Sequence, residues 1–583
     1  MQPALLTPRS DGWVTSQGPA LMPLMAPRLQ GEVRADGALS LALWGAGDLG
    51  RLRASALIGP FAHAPNLLQA TSGGVYVAQS QPVILLKGVQ FQRFTPARRC
   101  AGWDRSQHPA TRVARAGEVR RYILPWGAVL IVERGGDLVV AAGADLAEAE
   151  RGLSLSEPQI VEEALAYVAR CDLASDADPV LRSMVMQGAH AAFSAVRRDA
   201  QGGFAGLAAG LAYSAPARTY YRDGYWTLPL LLAHQPDVVR AQIDLLAHGV
   251  QDDGEAPSGV IVSGAAQARA WGTLRADSGR VAGANKRSLD WWSDHFDSPL
   301  FFVLTLGDYV RATGDIRPAR RHWDKVRAIL RRYVGLSVDG LPVKPRHDRD
   351  WADNVYRSGS VCYDLGLWVG ALDAIVELGR EQDPVLARLA AEVAVSAREA
   401  LAARVRQPKG LYPDYIALDG FIEDHLTLDS LTLLRHDAVS EADAAAMLDA
   451  MATRLETRSN PDQPHGDWGV MCAWPPFSRR ADLRSKTAFP YRYHNGSDWP
   501  WLDGLYAGEL LRRGRPGSRY PLTRWWEVCL ARGWMGAVEY FAPPWGRGSL
   551  LQGWSSMPAA MVVKYGATTP ELKASIIEPG DGF

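Results

Sequence analysis

A chain of 583 residues that is 47% apolar exceeds one ordinary domain and has ample material for a large buried core. Its 63 Lys and Arg balance 63 Asp and Glu, which leaves no charge footprint for a nucleic-acid backbone or an anionic membrane surface. The five cysteines, Cys100, Cys171, Cys362, Cys472 and Cys529, are widely spaced without a C-x-x-C pair and read as reduced thiols rather than a zinc ribbon or a disulfide framework. The first residues, MQPALLTPRSDGW, lack the basic start and apolar run of a signal peptide, and no stretch reaches the length of a membrane span, so a cytoplasmic location is expected.

From Gly12 to about Val140, short apolar runs such as LSLALW, GGVYVAQ, VILLKG and AVLIVERGGDLVVAAG alternate with turn residues, the pattern of an antiparallel β-sandwich. Near Ala144 the period changes to three and four, and about a dozen amphipathic or apolar helical segments follow to the end of the chain. The expected division is a β-sandwich over 1–155 and a helical domain over 156–583. No solenoid period recurs in the helical part, so its helices are expected to close into a toroid of six hairpins.

Gly45, Gly47 and Gly50 stand in G-x-G-x-x-G spacing, but no acid occurs from Arg51 through Trp103 and Pro60 interrupts the helix a dinucleotide fold requires. A hairpin loop is the better reading. H-E-x-x-H, Walker and G-x-S-x-G patterns are missing and the 12 His are scattered, so neither a metal, a cofactor nor a nucleophilic serine is expected.

Six loops concentrate acids, aromatics and glycines: YYRDGYW (220–226), DWWSDHFDSP (290–299), RHDRDWADNVYRSG (346–359), HGDWGVMCAWPPF (465–477), YHNGSDWPWLDG (493–504) and GAVEYFAPPWG (536–546). Each has a bland alternative: a helix N-cap at Asp223 or Asp297, a solvated charge run at 346–350, or core filling by the 20 Trp. The indole of Trp351 next to Asp350 and Asp353 argues for raised carboxyl pKa values, and Glu539 is the sole acid between Glu527 and Glu571. Together the loops fit glycoside hydrolysis, which needs two carboxyl groups and a wall of aromatics and hydrogen-bond donors around a sugar ring.

The order of YYRDGYW, the APSG turn (256–259), DSPLFFVLTLGDY, DWADNVYRSG, GLYPDYIALDG, YHNGSDWPWLDG, GAVEYF and LQGWSS (551–556) resembles six-hairpin glycosidases, above all amylo-alpha-1,6-glucosidase-type debranching enzymes and glycoside hydrolase family 63, with trehalase as a cousin. The resemblance runs from about Arg170 onward and implies an (α/α)6 toroid behind an N-terminal β-domain, hydrolysing alpha-glucosidic bonds of a small carbohydrate with inversion. It places the general acid on Asp353, with Asp350 one alignment choice away, and the base on Glu539. Substrate contacts are implied at Tyr221, Arg222, Asp223, Trp226, Trp292, Asp297, Trp351, Arg357, His494, Trp499, Trp501, Gln552 and Trp554. Tyr363, where many debranching-type sequences carry a glutamate, and the HGDWGVMCAWPPF loop depart from the family pattern. A phosphorylase on the same toroid and a non-catalytic carbohydrate-binding protein are the alternatives.

Overall fold

The computed structural model describes residues 5–18, 21–34, 36–97, 112–116, 118–213, 217–263, 267–270 and 295–572. The N-terminal part is two antiparallel sheets. A ten-stranded sheet contains Phe61–Ala64, Leu67–Ala70, Gly73–Val77, Val83–Lys87, Asp137–Gly143 and Gly127–Arg134 in that spatial order, flanked by Val14–Ser16 and Thr7–Pro8 at one edge and by Val119–Leu124 and Arg112–Ala116 at the other. A five-stranded sheet runs Phe91–Pro96, Gly47–Ala54, Ala38–Leu43, Leu29–Arg34, Leu21–Met25. Leu39, Leu41 and Leu52 of the small sheet meet Leu68, Ile84, Ile131 and Val140 of the large one in a shared core. The run Val83–Leu86 is apolar on both pleat faces because both are buried: Ile84 and Leu86 point into the sandwich, while Val83 and Leu85 pack with Ala149 and Ile160 from helices Leu146–Leu153 and Glu157–Cys171. Gly45 and Gly47, at φ +85° and +92°, shape the hairpin between Ala38–Leu43 and Gly47–Ala54, which is the hairpin reading of the glycine motif.

Helices Tyr221–His234, Ser298–Thr313, Cys362–Gly379, Leu431–Arg435, Pro500–Arg512 and Met557–Tyr565 form a ring in which each touches the next and the last touches the first. Helices Pro179–Ala195, Pro236–Ala247, Trp323–Leu336, Pro384–Ala400, Glu441–Arg454 and Arg519–Ala531 alternate with them along the chain. This is an (α/α)6 toroid. The sequence separates the two rings. Inner helices such as SPLFFVLTLG and CYDLGLWVGAL are buried almost all round, whereas outer ones such as PVLARLAAEVAVSAREA are amphipathic. Glycines allow the inner crossings: a Cβ on Gly307, Gly366 or Gly504 would press on Ala374, Thr432 or Met557 of the neighbouring inner helix. The fourth inner helix, LTLLR, is a single turn and a half, too short for a periodic signal in sequence. Glu157–Cys171 lies between sheet and toroid, with Ile160 on the sheet and Tyr167 and Cys171 in the toroid core.

Because an outer helix returns the chain after each inner one, all six inner helices run in the same direction and their N-termini gather at one end. The motif loops immediately precede those N-termini, so the topology collects them there. Cys171, Cys362, Cys472 and Cys529 are buried and free, and Cys100 lies outside the described residues. Among the described residues no helix is long and apolar enough to cross a membrane.

Candidate active site

A pocket opens at this end of the toroid. Its charged and polar wall is Arg222, Asp223, His295, Asp353, His494 and Glu539, and its aromatic wall is Tyr213, Tyr220, Trp351, Tyr493 and Trp554. Five of the six quoted loops contribute an acid or an arginine, a histidine or an aromatic ring to this single space.

Arg222 and Asp223 stand in the first turn of helix Tyr221–His234. The Arg222 guanidinium is gripped as a fork, Nε donating to Asp297 Oδ2 at 2.7 Å and Nη2 to Asp297 Oδ1 at 3.1 Å. Tyr363 donates its hydroxyl to the same Asp297 Oδ2 at 3.1 Å. Asp297 is fully buried behind Arg222 and does not line the pocket, so it orients the arginine rather than meeting a ligand. Tyr363 is thereby explained: it completes the carboxylate's hydrogen bonding. Tyr363→Phe is expected to cost about 1 kcal/mol in urea unfolding, the worth of one buried hydrogen bond, and an unchanged midpoint would contradict that role.

Asp223 accepts from Gln552 Nε2 at 3.1 Å. Burial pushes its carboxyl up to about 6, with Arg222 opposing and Asp353 and Asp297 adding to the rise. Gln552 sits behind Asp223 and outside the pocket wall.

Asp353 receives two contacts from YHNG. His494 Nε2 lies 2.6 Å from Asp353 Oδ1, and the Tyr493 hydroxyl donates to Oδ2 at 3.4 Å. Burial pulls His494 below its ordinary value, against the pull of Asp353. The His494 ring lies flat on Trp499, centroids 4.8 Å apart and 6° between planes, and the edge of Trp351 meets it at 4.5 Å.

Glu539 occupies a strand-like segment, its backbone N–H donating to Ser549 O and its Oε2 accepting from Ser549 N at 3.0 Å. Burial raises its carboxyl to about 7, opposed by the Ser549 amide and by Lys486, and reinforced by Asp223 and Asp353. Gly548 leaves the room: a Cβ there would collide with the Glu539 carboxylate.

The remaining sequence candidates sit elsewhere. Asp350 is fully buried and spent on structure. It accepts Arg357 Nη2 at 2.8 Å and Nε at 3.2 Å, holds the Ala352 N–H at 2.9 Å, and has Lys344 Nζ at 3.3 Å. These partners hold its carboxyl well below the usual range despite burial, and it does not reach the pocket. Arg357 is likewise sealed, between Asp350, Asp414 and Asp429. Trp499 and Trp501 form a second layer. Trp499 backs His494, and Trp501 stacks between Trp226 and Trp554 at 4.9 and 5.8 Å. Neither indole lines the pocket, because the W-P-W segment opens an inner helix whose flanks are all buried. Trp226 and Tyr221 are core residues too, the Tyr221 hydroxyl donating to Leu246 O at 2.5 Å. Trp292 lies outside the described residues. The HGDWGVMCAWPPF loop supports the floor: Val470 N–H donates to Asp498 Oδ2 at 2.9 Å beside Trp499, and Trp468 packs on Phe541.

The structure adds Tyr213, Tyr220, Ser258, His295 and Tyr493. All but Tyr213 fall inside motifs visible in sequence, whereas Tyr213 stands in a loop with no distinctive pattern. Ser258 Oγ and Trp554 Nε1, on residues that line the pocket, have no partner among the described residues.

No protein-family model matches the chain, and no curated protein sequence matches it. In structure it is similar to a bacterial glucoamylase complexed with acarbose, with a TM-score of 0.61 at 10% identity over 97% of this chain and 95% of that one. It is also similar to a rhamnosidase from Klebsiella oxytoca with rhamnose bound, with a TM-score of 0.50 at 14% identity over 96% of this chain and 100% of that one. The fold is that of the six-hairpin glycosidases.

Proposed function

We propose that the chain is an inverting glycoside hydrolase that removes an alpha-linked glucosyl unit from the non-reducing end of a small carbohydrate. The observation that carries this reading is the meeting of Asp353, Glu539 and Asp223 in one aromatic-walled pocket, on a fold shared with a glucoamylase complexed with acarbose. Glycoside hydrolysis by single displacement needs one carboxyl to protonate the leaving oxygen and another to take a proton from water on the opposite face of the sugar. Asp353 gives its proton to the leaving oxygen, and Glu539 activates the water. Arg222 and Asp223 bind ring hydroxyls, and the faces of Trp351 and Trp554 bound the sugar. A panel of alpha-linked disaccharides and glucosyl conjugates, with product anomers followed by NMR, tests the reading. β-Glucose as first product from an α-glucoside supports it, and retention of configuration or lack of turnover on the whole panel overturns it.

One observation keeps the exchanged assignment, Glu539 as acid and Asp353 as base, as the second reading. Burial brings Glu539 to about 7, so its carboxyl is half protonated near neutrality and suited to either task. The pH dependence of kcat/KM separates the assignments. With Glu539 as base, kcat/KM rises with pH through about 7, because only the ionised form takes the proton. With Glu539 as acid, it falls over the same interval.

A further inference from the structure

Period-two alternation in strand Ala38–Leu43 turns Leu39, Leu41 and Leu43 into the sandwich core and Ala38, Ser40 and Ala42 outward. Ser40 and Ala42 floor a second cavity, of about 820 Å³, where the small sheet meets the toroid. A further hollow of about 690 Å³ continues along the strands and shares Glu32, Ser40 and Arg51 with it, so the space is elongated.

Four charged side chains face this cavity: Glu32, Asp48, Arg51 and Arg547. None forms an ion pair within 4.0 Å of a described residue; Glu32 and Arg547 attract each other at longer range, and Asp48 Oδ1 accepts the Gly50 N–H at 2.9 Å, which leaves its other oxygen toward the cavity. Arg547 is half-buried, and among the described residues its guanidinium donates to the adjacent Gly548 carbonyl, at 2.9 Å. Two carboxylates repel an anionic ligand, and two guanidiniums repel a cation. A hydroxyl group satisfies both kinds, donating to the acids and accepting from the arginines. The cavity also adjoins the catalytic pocket through one layer of chain. Ser549, whose N–H holds Glu539 Oε2, accepts the Ala212 N–H on its Oγ at 3.2 Å, and Tyr213 beyond it lines the pocket.

We propose that this cavity is a second carbohydrate site, which takes a neutral, hydroxyl-rich oligosaccharide chain. The inference rests on the glycosidase reading for its choice of ligand, while its test does not depend on turnover. Maltopentaose is titrated calorimetrically into the full chain carrying Glu539→Gln, alone or combined with Ala42→Trp, which fills the floor, or with Arg51→Ala, an exposed substitution that leaves the core untouched. The expected result is the loss of one binding event per chain in Ala42→Trp and at least a tenfold weaker one in Arg51→Ala, whatever occurs in the catalytic pocket. Identical binding in all three folded proteins overturns the proposal. Kinetics on the chain with Glu539 intact then identify the source of the ligand. If the cavity holds the remote end of the substrate, both substitutions lower kcat/KM for maltopentaose tenfold and leave p-nitrophenyl α-glucoside unchanged. If it holds a separate saccharide, the chain-length preference stays while the binding event is lost. If the glycosidase reading itself fails, no α-glucoside turns over, yet the difference in binding between the three proteins remains.

Discussion

Glu539→Gln is expected to lower kcat/KM by about 10³-fold on natural glucosides and on α-glucosyl fluoride alike, whereas Asp353→Asn spares the fluoride. The distinction follows from what each proton does. A poor leaving group needs protonation as the bond breaks, worth about 10²–10⁴-fold, while fluoride departs without it. Water attack needs its base whatever departs, since an inverting site has no covalent intermediate to divert through. If the roles are exchanged, the fluoride rescues Glu539→Gln and not Asp353→Asn. Loss on neither substrate in folded protein would remove both residues from the chemistry. The same substitution has a second, opposite consequence. Glu539 binds its proton more tightly in the folded chain, where its value is about 7, than at its ordinary 4.5. The folded state is therefore favoured while the carboxyl stays protonated, and that advantage is lost as pH rises through about 7. Gln carries no charge to desolvate, so Glu539→Gln should be more stable than the parent above pH 8, by as much as about 3 kcal/mol. Thermal unfolding at pH 4 and pH 8.5 measures it: the two proteins should nearly coincide at the lower pH and separate at the higher.

Much of this architecture was legible from period alone. The change from alternating strands to helical spacing near Ala144 matches the last strand of the two large sheets, which ends at Gly143, and the first helix at Leu146. The gathering of the loops followed from topology, once six inner helices were expected. The layers within the site were not legible. A sequence makes every tryptophan in a loop equally attractive as a sugar platform, but Trp499 and Trp501 flank Pro500 at the start of an inner helix, where all sides are packed. Trp351 and Trp554 are the tryptophans that line the pocket, although Trp554 also stands just before an inner helix. Acids were similarly ambiguous. Asp350 and Asp353 differ by three positions, and their fates are set by partners distant in sequence, Arg357 and Lys344 for one, His494 and Tyr493 for the other. Asp297 could be read as a cap or as a ligand contact, and only the fork to Arg222, 75 positions away, identifies it as a support.

The polar cluster beneath Trp351 carries the second large effect. Arg357 Nη1 donates to Asp414 Oδ1 at 2.7 Å and to Asp429 Oδ2 at 2.8 Å while its other nitrogens hold Asp350. Asp429 Oδ2 in turn accepts the Trp351 indole N–H at 2.5 Å, and Asp350 accepts the Ala352 N–H, so one guanidinium fixes the loop on which Trp351 and Asp353 are carried. Arg357→Met retains most of the volume but removes the cation from three buried carboxylates. Breaking a single buried pair costs about 3–5 kcal/mol because the abandoned charge stays out of water, and here Lys344 remains to offset only part of the loss. Arg357→Met is therefore expected to lose at least that much stability at pH 7. The deficit should shrink as pH falls toward 5, because carboxylates stripped of their cation hold protons more tightly in the folded state and regain neutrality there. Adding Asp350→Asn should recover part of the loss, since one stranded charge disappears, whereas in the parent the same Asp350→Asn destabilises by removing a partner of Arg357 and Lys344. A double-mutant cycle in urea at pH 5 and 7 measures both signs. Additive losses independent of pH would mean that Arg357 acts by packing alone, and that the placement of Asp353 owes nothing to this charge.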